Sequence, residues 1–248
     1  MSVDGALDAL ADRVRHASRV TVLTGAGVSA ASGVPTFRGA AGLWRQFRAE
    51  DLATPGAFRR DPQLVWEWYA WRRETVAASQ PNAGHDVIAW WSARMETCRV
   101  ITQNVDDLHL RAGTSGLIRL HGSLWDLACW DECGEGPWHD EQAPFAQLPP
   151  RCPRCGGLAR PGVVWFGEAL HPDDVNAALD ACACDVFLTV GTSSVVYPAA
   201  GLVHEAKRLG AFTAEINLDP SPASGIVDLA IQGPSEVVLP EVEKRLHQ

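Results

Sequence analysis

The stretch RVTVLTGAGVSA, from Arg19 to Ala30, decides the fold of this chain. Its β-branched and apolar first half predicts a buried strand, which runs directly into Gly25, Ala26 and Gly27. Glycines in this position let the backbone approach a pyrophosphate, whose charge the N-terminus of the next helix faces. The stretch therefore predicts a dinucleotide site, although a short glycine pattern alone equally fits a tight turn that holds no ligand.

Before this stretch, the spacing of the apolar residues Leu7, Leu10 and Val14 predicts an opening helix. Five later β-rich runs are separated mostly by helical stretches; they are Arg99 to Thr102, Leu117 to Leu120, Val186 to Val190, Ala211 to Ile216 and Leu229 to Gln232. This alternation predicts an α/β fold with a doubly wound, mostly parallel Rossmann-like sheet that is covered on both faces.

Two segments interrupt the alternation, and neither is predicted to add a strand to that sheet. Residues 36–81 are helical and Trp-rich, and residues 124–161 carry cysteine pairs among Pro and Gly. We expect residues 1–35, 82–123 and 162–248 to form a large dinucleotide-binding domain. The two insertions would form a smaller lobe with a helical module and a structural zinc module, and a ligand would lie in the cleft between them.

Composition narrows the class of protein. With 248 residues, 46% of them hydrophobic, the chain can bury a sizeable core. Its 21 Lys and Arg against 30 acids, a net charge of −9, disfavour a nucleic-acid partner. No apolar run reaches the roughly 20 residues of a membrane span, and the N-terminus does not resemble a signal peptide. We expect a cytoplasmic monomer with no membrane partner.

Four of the seven cysteines fall in two close pairs, Cys129 with Cys133 and Cys152 with Cys155. This spacing suits one tetrahedral Zn²⁺ better than a disulfide framework. Four thiolates leave no open coordination position, so the ion would be structural. The alternative is that some of these cysteines are free thiols, and the remaining Cys98, Cys182 and Cys184 are expected to be structural.

The residues after the glycine turn depart from the pattern of dehydrogenases. Gly33, Val34 and Pro35 should stop the helix early, and no acidic residue follows at the position that would bind the ribose. Instead, Thr36 to Gly39 supplies a cation and an aromatic ring, which suit a phosphate and a nicotinamide. Hydride transfer is therefore disfavoured.

Five segments together resemble the sirtuin family. They are GAGVSAASGVPTFRG (25–39), TQNVDDLH (102–109), LHGS (120–123), VVWFGE (163–168) and GTSSVVYPA (191–199). The resemblance spans nearly the whole chain and implies an enzyme that consumes NAD⁺ to remove acyl groups from protein lysines. One departure is the C-x₃-C first cysteine pair, since C-x₂-C is the usual spacing, and one extra residue must bulge there.

The resemblance also implies which residues surround NAD⁺: Gly25, Ala26, Gly27, Ser29, Thr36, Phe37, Arg38, Trp44, Gln103, Asn104, Asp106, Gly191, Thr192, Ser193, Asn217 and Ser235. Asn104 and Asp106 would position the ribose and the nicotinamide amide. Ser193 and Ser194 could instead cap the helix that Pro198 helps to start.

By the same resemblance, the acyl-lysine amide oxygen attacks the anomeric carbon of NAD⁺ as nicotinamide leaves, and His121 then removes a ribose hydroxyl proton. Catalysis is thus assigned to His121 and Asn104. Neutral imidazole suits this task because its ordinary pKa of about 6.5 leaves it able to accept a proton. His109 is expected to be a structural partner within its motif, and the other six histidines surface or packing residues.

Tyr69 and Arg72 lie three residues apart in a predicted helix, so both can reach one carboxylate. Together with the small Ala53, they resemble the subgroup that removes succinyl, malonyl and glutaryl groups. The alternative is an amphipathic helix in which Arg72 and Arg73 pair with Glu67 or Glu74. The peptide would pair with the backbone around Val164, Phe166, Gly167 and Glu168, with Tyr197 on its other side.

Rival functions remain at this point. Within the family these are a plain deacetylase, a mono-ADP-ribosyl transferase or a lipoamidase. Outside it, the rival is a non-catalytic module that senses NAD⁺ or ADP-ribose.

Overall fold

The computed structural model describes residues 2–36 and 47–248. Its main element is a six-stranded parallel sheet in the order β3-β2-β1-β7-β8-β9. The strands of this sheet are β1 (Arg19–Thr24), β2 (Thr97–Thr102), β3 (Leu117–Arg119), β7 (Val186–Val190), β8 (Phe212–Asn217) and β9 (Leu229–Gln232). The doubly wound prediction is confirmed, because the first crossovers add strands to one side of β1 and the later ones to the other.

Helices cover both faces of this sheet. They are α1 (Val3–Arg15), α5 (Ala83–Arg94) and α9 (Ser235–Leu246) on one face, with α7 (Pro172–Ala181) and α8 (Leu202–Arg208) on the other. Alternate strand residues feed the two cores: Val22 and Leu188 pack with α1 and α5, whereas Leu23 and Phe187 pack with α7 and α8. Burial on both faces explains why these strands are continuous apolar runs.

A second sheet is antiparallel, in the order β5-β4-β6, from β4 (Gly122–Cys129), β5 (Trp138–His139) and β6 (Ala159–Val163). As predicted, the described residues of the two insertions add no strand to the parallel sheet, but this separate sheet was not foreseen. β5 has only two residues, and β6 contains Pro161 and Gly162, two residue types that are depleted in strands.

The second sheet shares a core with three helices, α2 (Ala49–Leu52), α3 (Pro55–Arg60) and α4 (Pro62–Ala78). Aromatic side chains fill this core, among them Phe58, Trp66, Tyr69 and Trp165. The remaining short helix is α6 (Leu108–Arg111). Among the described residues, no helix is both long and apolar enough to cross a membrane.

The buried Arg73 of α4 joins this helix to the second sheet. Its guanidinium donates to the Leu124 carbonyl oxygen (2.6 Å) and to the Asp140 carboxylate (2.7 Å), and it lies over the Phe145 ring. The suggested pairing of Arg73 with Glu67 or Glu74 is therefore wrong for this residue, because Asp140 is its acidic partner.

Candidate functional site

Three glycines bring the loops after β1 and β7 into backbone contact. Gly27 N donates to Gly191 O (2.8 Å), and a Cβ on Gly25 or Gly27 would lie less than 3.0 Å from residues 191 and 192. Gly191 itself has a φ of +58°. These loops leave neighbouring strands at the point where the strand order reverses, which is where ligands bind in open α/β sheets.

The segment after the turn is a 3₁₀ helix, Ala26–Ser32, instead of the α-helix that the dinucleotide pattern suggested. It ends where the sequence predicted, because Gly33 adopts a left-handed conformation (φ +86°) just before Val34 and Pro35.

Polar side chains connect the loops at this edge of the sheet. The Gln103 side chain donates to Thr192 Oγ1 (2.8 Å), and Asn217 Nδ2 donates to the Thr192 carbonyl oxygen (2.8 Å). Ser193 follows directly and is half-buried. Ser193 and Ser194 do not cap the next helix, since the 3₁₀ turn Ala199–Gly201 starts after Pro198 without a side-chain cap.

Ser29, Asn104 and Asp106 form a buried polar cluster beside these loops. Ser29 Oγ donates to Asp106 Oδ2 (2.7 Å) and accepts from Asn104 Nδ2 (3.1 Å). Burial raises the pKa of Asp106, partly opposed by the hydrogen bond from Ser29. The structure thus brings three predicted site residues from two distant segments within hydrogen-bonding distance of one another.

His85 also belongs to this cluster, which the sequence analysis missed by treating it as a surface or packing residue. It is fully buried, and its Nε2 lies 3.4 Å from Ser29 Oγ. Burial lowers its pKa to about 4, so the ring is neutral. No local motif signals this role, because His85 reaches the site only through the packing of α5.

His109 is a structural partner, as predicted. Its Nε2 lies 3.0 Å from Thr24 Oγ1, which in turn donates to Thr102 Oγ1 (2.8 Å), so the ring ties together the ends of β1 and β2. Burial, reinforced by the neighbouring His85, lowers the pKa of His109 to about 3.

His121 lies between β3 and β4, with its Nδ1 2.9 Å from the Gln103 carbonyl oxygen. A carbonyl oxygen can only accept, so Nδ1 carries the proton and Nε2 keeps its lone pair. Burial lowers the pKa of His121, and the hydrogen bond to Gln103 opposes this only in part. The ring is therefore a neutral base with one unprotonated nitrogen.

Tyr69 and Arg72 converge, as their spacing predicted. The Arg72 guanidinium lies 5.6 Å from the Tyr69 ring centroid and 5.0 Å from that of Trp68. Arg72 and Asp106 also attract each other electrostatically, and this attraction opposes the rise in the pKa of Asp106. Tyr69 OH accepts from Trp165 Nε1 (2.9 Å), a contact that the sequence analysis missed.

The segment Val164 to Glu168 links His121 to the small lobe. Val164 N donates to His121 O (3.0 Å), and Phe166 N donates to the carbonyl oxygen of Ala53 (2.9 Å). Ala53, at the end of α2, shares a core with Trp165 and Tyr69. Phe166 and Gly167 are exposed, as is Tyr197, whose exposed fraction is 73%.

The Glu168 side chain is engaged within the fold. Its carboxylate accepts two hydrogen bonds from Arg160 (2.6 and 2.8 Å) and one from Trp165 N (2.8 Å). The Glu168 N–H donates to the Trp165 carbonyl oxygen and closes a turn. The side chain thus stabilises this segment, and the predicted pairing of the backbone with a peptide stays a prediction.

The other predicted cofactor residues are Thr36, Phe37, Arg38, Trp44 and Ser235. Ser235 is buried at the start of α9, where its backbone packs against Gly84 at the start of α5. Thr36 is the last residue described before the gap. The predictions for Phe37, Arg38 and Trp44 lie outside the described residues.

The four predicted zinc ligands converge. The Sγ atoms of Cys129, Cys133, Cys152 and Cys155 all lie within 4.8 Å of one another, with 3.6 Å between Cys129 and Cys155 and between Cys133 and Cys152. A tetrahedral Zn²⁺ at Zn–S distances of about 2.3 Å places its sulfur atoms about 3.8 Å apart. The four residues therefore fit one structural zinc ion.

The extra residue of the first cysteine pair is accommodated at Glu132. This residue adopts a left-handed conformation (φ +48°), and its N–H donates to the Cys129 carbonyl oxygen (3.4 Å). The C-x₃-C spacing thus closes on the same cluster through one local change of backbone conformation.

Known proteins share this architecture and sequence. Residues 25–198 match the Sir2 family. The chain is 49% identical to NAD-dependent protein deacylase 2 of Pyrobaculum aerophilum, over 96% of both proteins. It is 46% identical to the mitochondrial NAD-dependent protein deacylase sirtuin-5 of Canis lupus familiaris, over 91% of this chain and 81% of that protein.

Solved structures agree. A crystal structure of a Sir2 homologue in complex with NAD superposes with a TM-score of 0.91 at 44% identity, over 96% of this chain and 93% of that one. The fold, the convergent cysteines and the polar cluster at the switch point of the sheet lead to one family. The chain belongs to the Sir2 family.

Proposed function

We propose that this protein is an NAD-dependent protein-lysine deacylase that prefers acyl groups ending in a carboxylate, such as succinyl and malonyl. The products would be nicotinamide, O-acyl-ADP-ribose and free lysine. The observation that carries the preference is the pair of the buried Tyr69 and the half-buried Arg72, held next to the segment that contacts His121.

The cofactor would lie across the loops after β1 and β7, where the three close-packed glycines leave only backbone. Peptide N–H groups at such a turn suit a pyrophosphate. Gln103, Thr192 and Asn217 would face the sugar hydroxyls, because their hydrogen bonds fix them at the carboxyl edge of the sheet. Ser29, Asn104 and Asp106 would position the nicotinamide ribose and amide.

His121 would be the general base. Its Nδ1–H is committed to the Gln103 carbonyl oxygen, so the proton of a ribose hydroxyl can be accepted only by Nε2. Its lowered pKa keeps the ring neutral at physiological pH.

The acyl preference follows from the charge and hydrogen-bonding capacity of the small lobe. Burial raises the pKa of Tyr69 to about 12, so its hydroxyl stays protonated and can donate. Arg72 is a cation in a site shared with Trp68 and Tyr69. A succinyl or malonyl carboxylate could accept from both groups, whereas an acetyl methyl can accept from neither.

Nicotinamide release measured with NAD⁺ and a panel of acyl-lysine peptides tests this proposal. We expect faster turnover of succinyl and malonyl peptides than of acetyl or lipoyl peptides at limiting peptide concentration. If acetyl peptide is the best substrate, the rival plain deacetylase is correct. If no peptide releases nicotinamide while NAD⁺ still binds, the sensing module is correct.

The variant Arg72→Met should lower kcat/KM for succinyl peptide by roughly 10- to 100-fold, since a charge-assisted hydrogen bond contributes about 1.5–3 kcal/mol. The effect on acetyl peptide should be much smaller, because the acetyl group ends before the guanidinium. The exposed Arg59 of α3 supplies a matched control, Arg59→Met, which should leave both values unchanged. Equal losses on the two peptides with Arg72→Met would rule out the acyl assignment.

A further inference from the structure

The hydroxyl of Tyr69 has an unusual set of partners. It accepts a hydrogen bond from Trp165 Nε1 at 2.9 Å, and both side chains have an exposed fraction of only 2%. The Arg72 guanidinium lies 5.6 Å from the centroid of the Tyr69 ring. An indole N–H can only donate, so the Tyr69 oxygen is the acceptor in the contact with Trp165.

A phenol oxygen has two lone pairs and one proton. Trp165 occupies one lone pair, so the hydroxyl proton points away from the indole. Across residues 2–36 and 47–248, no side chain or carbonyl group accepts this proton. The Tyr69 hydroxyl can therefore donate to a bound ligand.

Trp165 is held firmly enough to impose this arrangement. The Arg160 guanidinium lies 3.8 Å from the centroid of the Trp165 ring, and the centroid of the Phe58 ring lies 5.4 Å from the same point. Glu168 holds both Arg160 and the Trp165 backbone, since its carboxylate accepts hydrogen bonds from Trp165 N and from Arg160. The ion pair of Arg160 and Glu168 thus serves to orient the indole.

We propose that Trp165 is a specificity-determining positioning residue, which occupies one lone pair of the Tyr69 oxygen and so directs the hydroxyl proton toward an acyl-chain carboxylate. This inference rests on the proposed function and adds a third residue to the Tyr69 and Arg72 pair. Trp165 itself does not need to touch the substrate.

The variant Trp165→Phe keeps an aromatic ring and removes only the indole N–H and part of the ring area. We expect the ratio of kcat/KM for succinyl peptide to kcat/KM for acetyl peptide to fall roughly fivefold, mainly through KM for the succinyl peptide. This corresponds to the net effect of about one hydrogen bond. An unchanged ratio would overturn the proposal.

A double-mutant cycle separates orientation from packing. In a Tyr69→Phe background the hydroxyl is gone, so adding Trp165→Phe should not change the ratio further. If the ratio falls equally in both backgrounds, the indole acts through packing and the proposal is wrong.

Trp91→Phe is the matched control, since Trp91 is also buried and donates its N–H to Glu243 in the large domain. This variant should leave the ratio unchanged.

The failure of this inference can be told apart from the failure of the proposed function. A wild-type protein that prefers acetyl peptide overturns the proposed function. A wild-type protein that prefers succinyl peptide, with a Trp165→Phe variant of the same ratio, overturns only the role of Trp165.

Discussion

At the scale of single residues, the chemistry of His121 is set by a neighbour that the sequence does not reveal. The motif LHGS predicts a functional histidine at a strand end, and that placement is observed. The tautomer of His121, however, depends on the Gln103 carbonyl oxygen. This oxygen lies 2.9 Å from Nδ1 because β2, which precedes Gln103, pairs with β3. The residue type was therefore predictable, whereas its protonation required the fold.

The pH dependence of deacylation should report on this environment. A general base works only when it is deprotonated, so activity is present above the pKa of His121 and is lost as the pH falls through it. Because burial lowers that pKa, the acidic limb of kcat/KM should lie below the ordinary imidazole value of about 6.5. Rates of lysine release measured from pH 5 to 9 check this.

The variant His121→Ala serves as the control for that profile, and it should lose turnover while retaining the fold by circular dichroism. An acidic limb at or above pH 7 in the wild-type protein, or near-normal turnover in the variant, would contradict the assignment of His121 as the base.

At the scale of helices and strands, the parallel sheet was predictable and the small sheet was not. The bounds of β1 and β7 are the predicted ones, because strands buried on both faces form nearly continuous apolar runs. β9 also has its predicted bounds, but only alternate residues of this edge strand are buried. β2 begins two residues earlier than its apolar part, at Thr97. The small sheet is stabilised by tertiary contacts with α4 and by the cysteine cluster. Such contacts produce no periodic hydrophobic pattern in short segments of the sequence.

The attachment of α4 to that sheet gives a prediction about stability. Arg73 has an exposed fraction of only 1%, and Arg73→Met would leave the Leu124 carbonyl and the Asp140 carboxylate without their donor. Removing one partner of a buried ion pair costs about 3–5 kcal/mol, so we expect the free energy of unfolding to fall by about 3 kcal/mol.

Urea unfolding measures this change, with the exposed Arg59→Met expected to stay within about 0.5 kcal/mol of the wild type. If both variants unfold at the wild-type midpoint, Arg73 is not the link between α4 and the second sheet.

At the scale of the whole molecule, two separate parts of the fold position the site residues: the large parallel sheet and the small lobe. The large sheet supplies Ser29, Asn104 and the glycine loops, and its hydrophobic cores lie on both faces. The small lobe supplies Tyr69 and Arg72 from a core that is rich in aromatic side chains. The same lobe contains the four clustered cysteines. The cysteine spacing made the metal site predictable, but not that Trp165 would lie between Tyr69 and Arg160.

Loss of zinc should therefore affect the small lobe first. Metal analysis after purification without chelator should find about one zinc per chain, and Cys155→Ala should lose it and lower the unfolding temperature by several degrees. Deacylation should fall because the small lobe positions Ala53, Tyr69 and Trp165. A wild-type protein without zinc, or a Cys155→Ala variant of unchanged metal content, would show that these are free thiols.

The close approach of Gly25, Gly27 and Gly191 divides the cleft into two regions that respond differently to mutation. Where these loops touch, any added carbon collides with main-chain atoms, so that region tolerates almost no chemical variation. The proposed acyl pocket, by contrast, is built from side chains such as Tyr69 and Arg72 of α4, which can be exchanged one at a time. Proteins of this architecture could thus change the acyl group that they remove through a few substitutions in a single helix, while the cofactor stays the same.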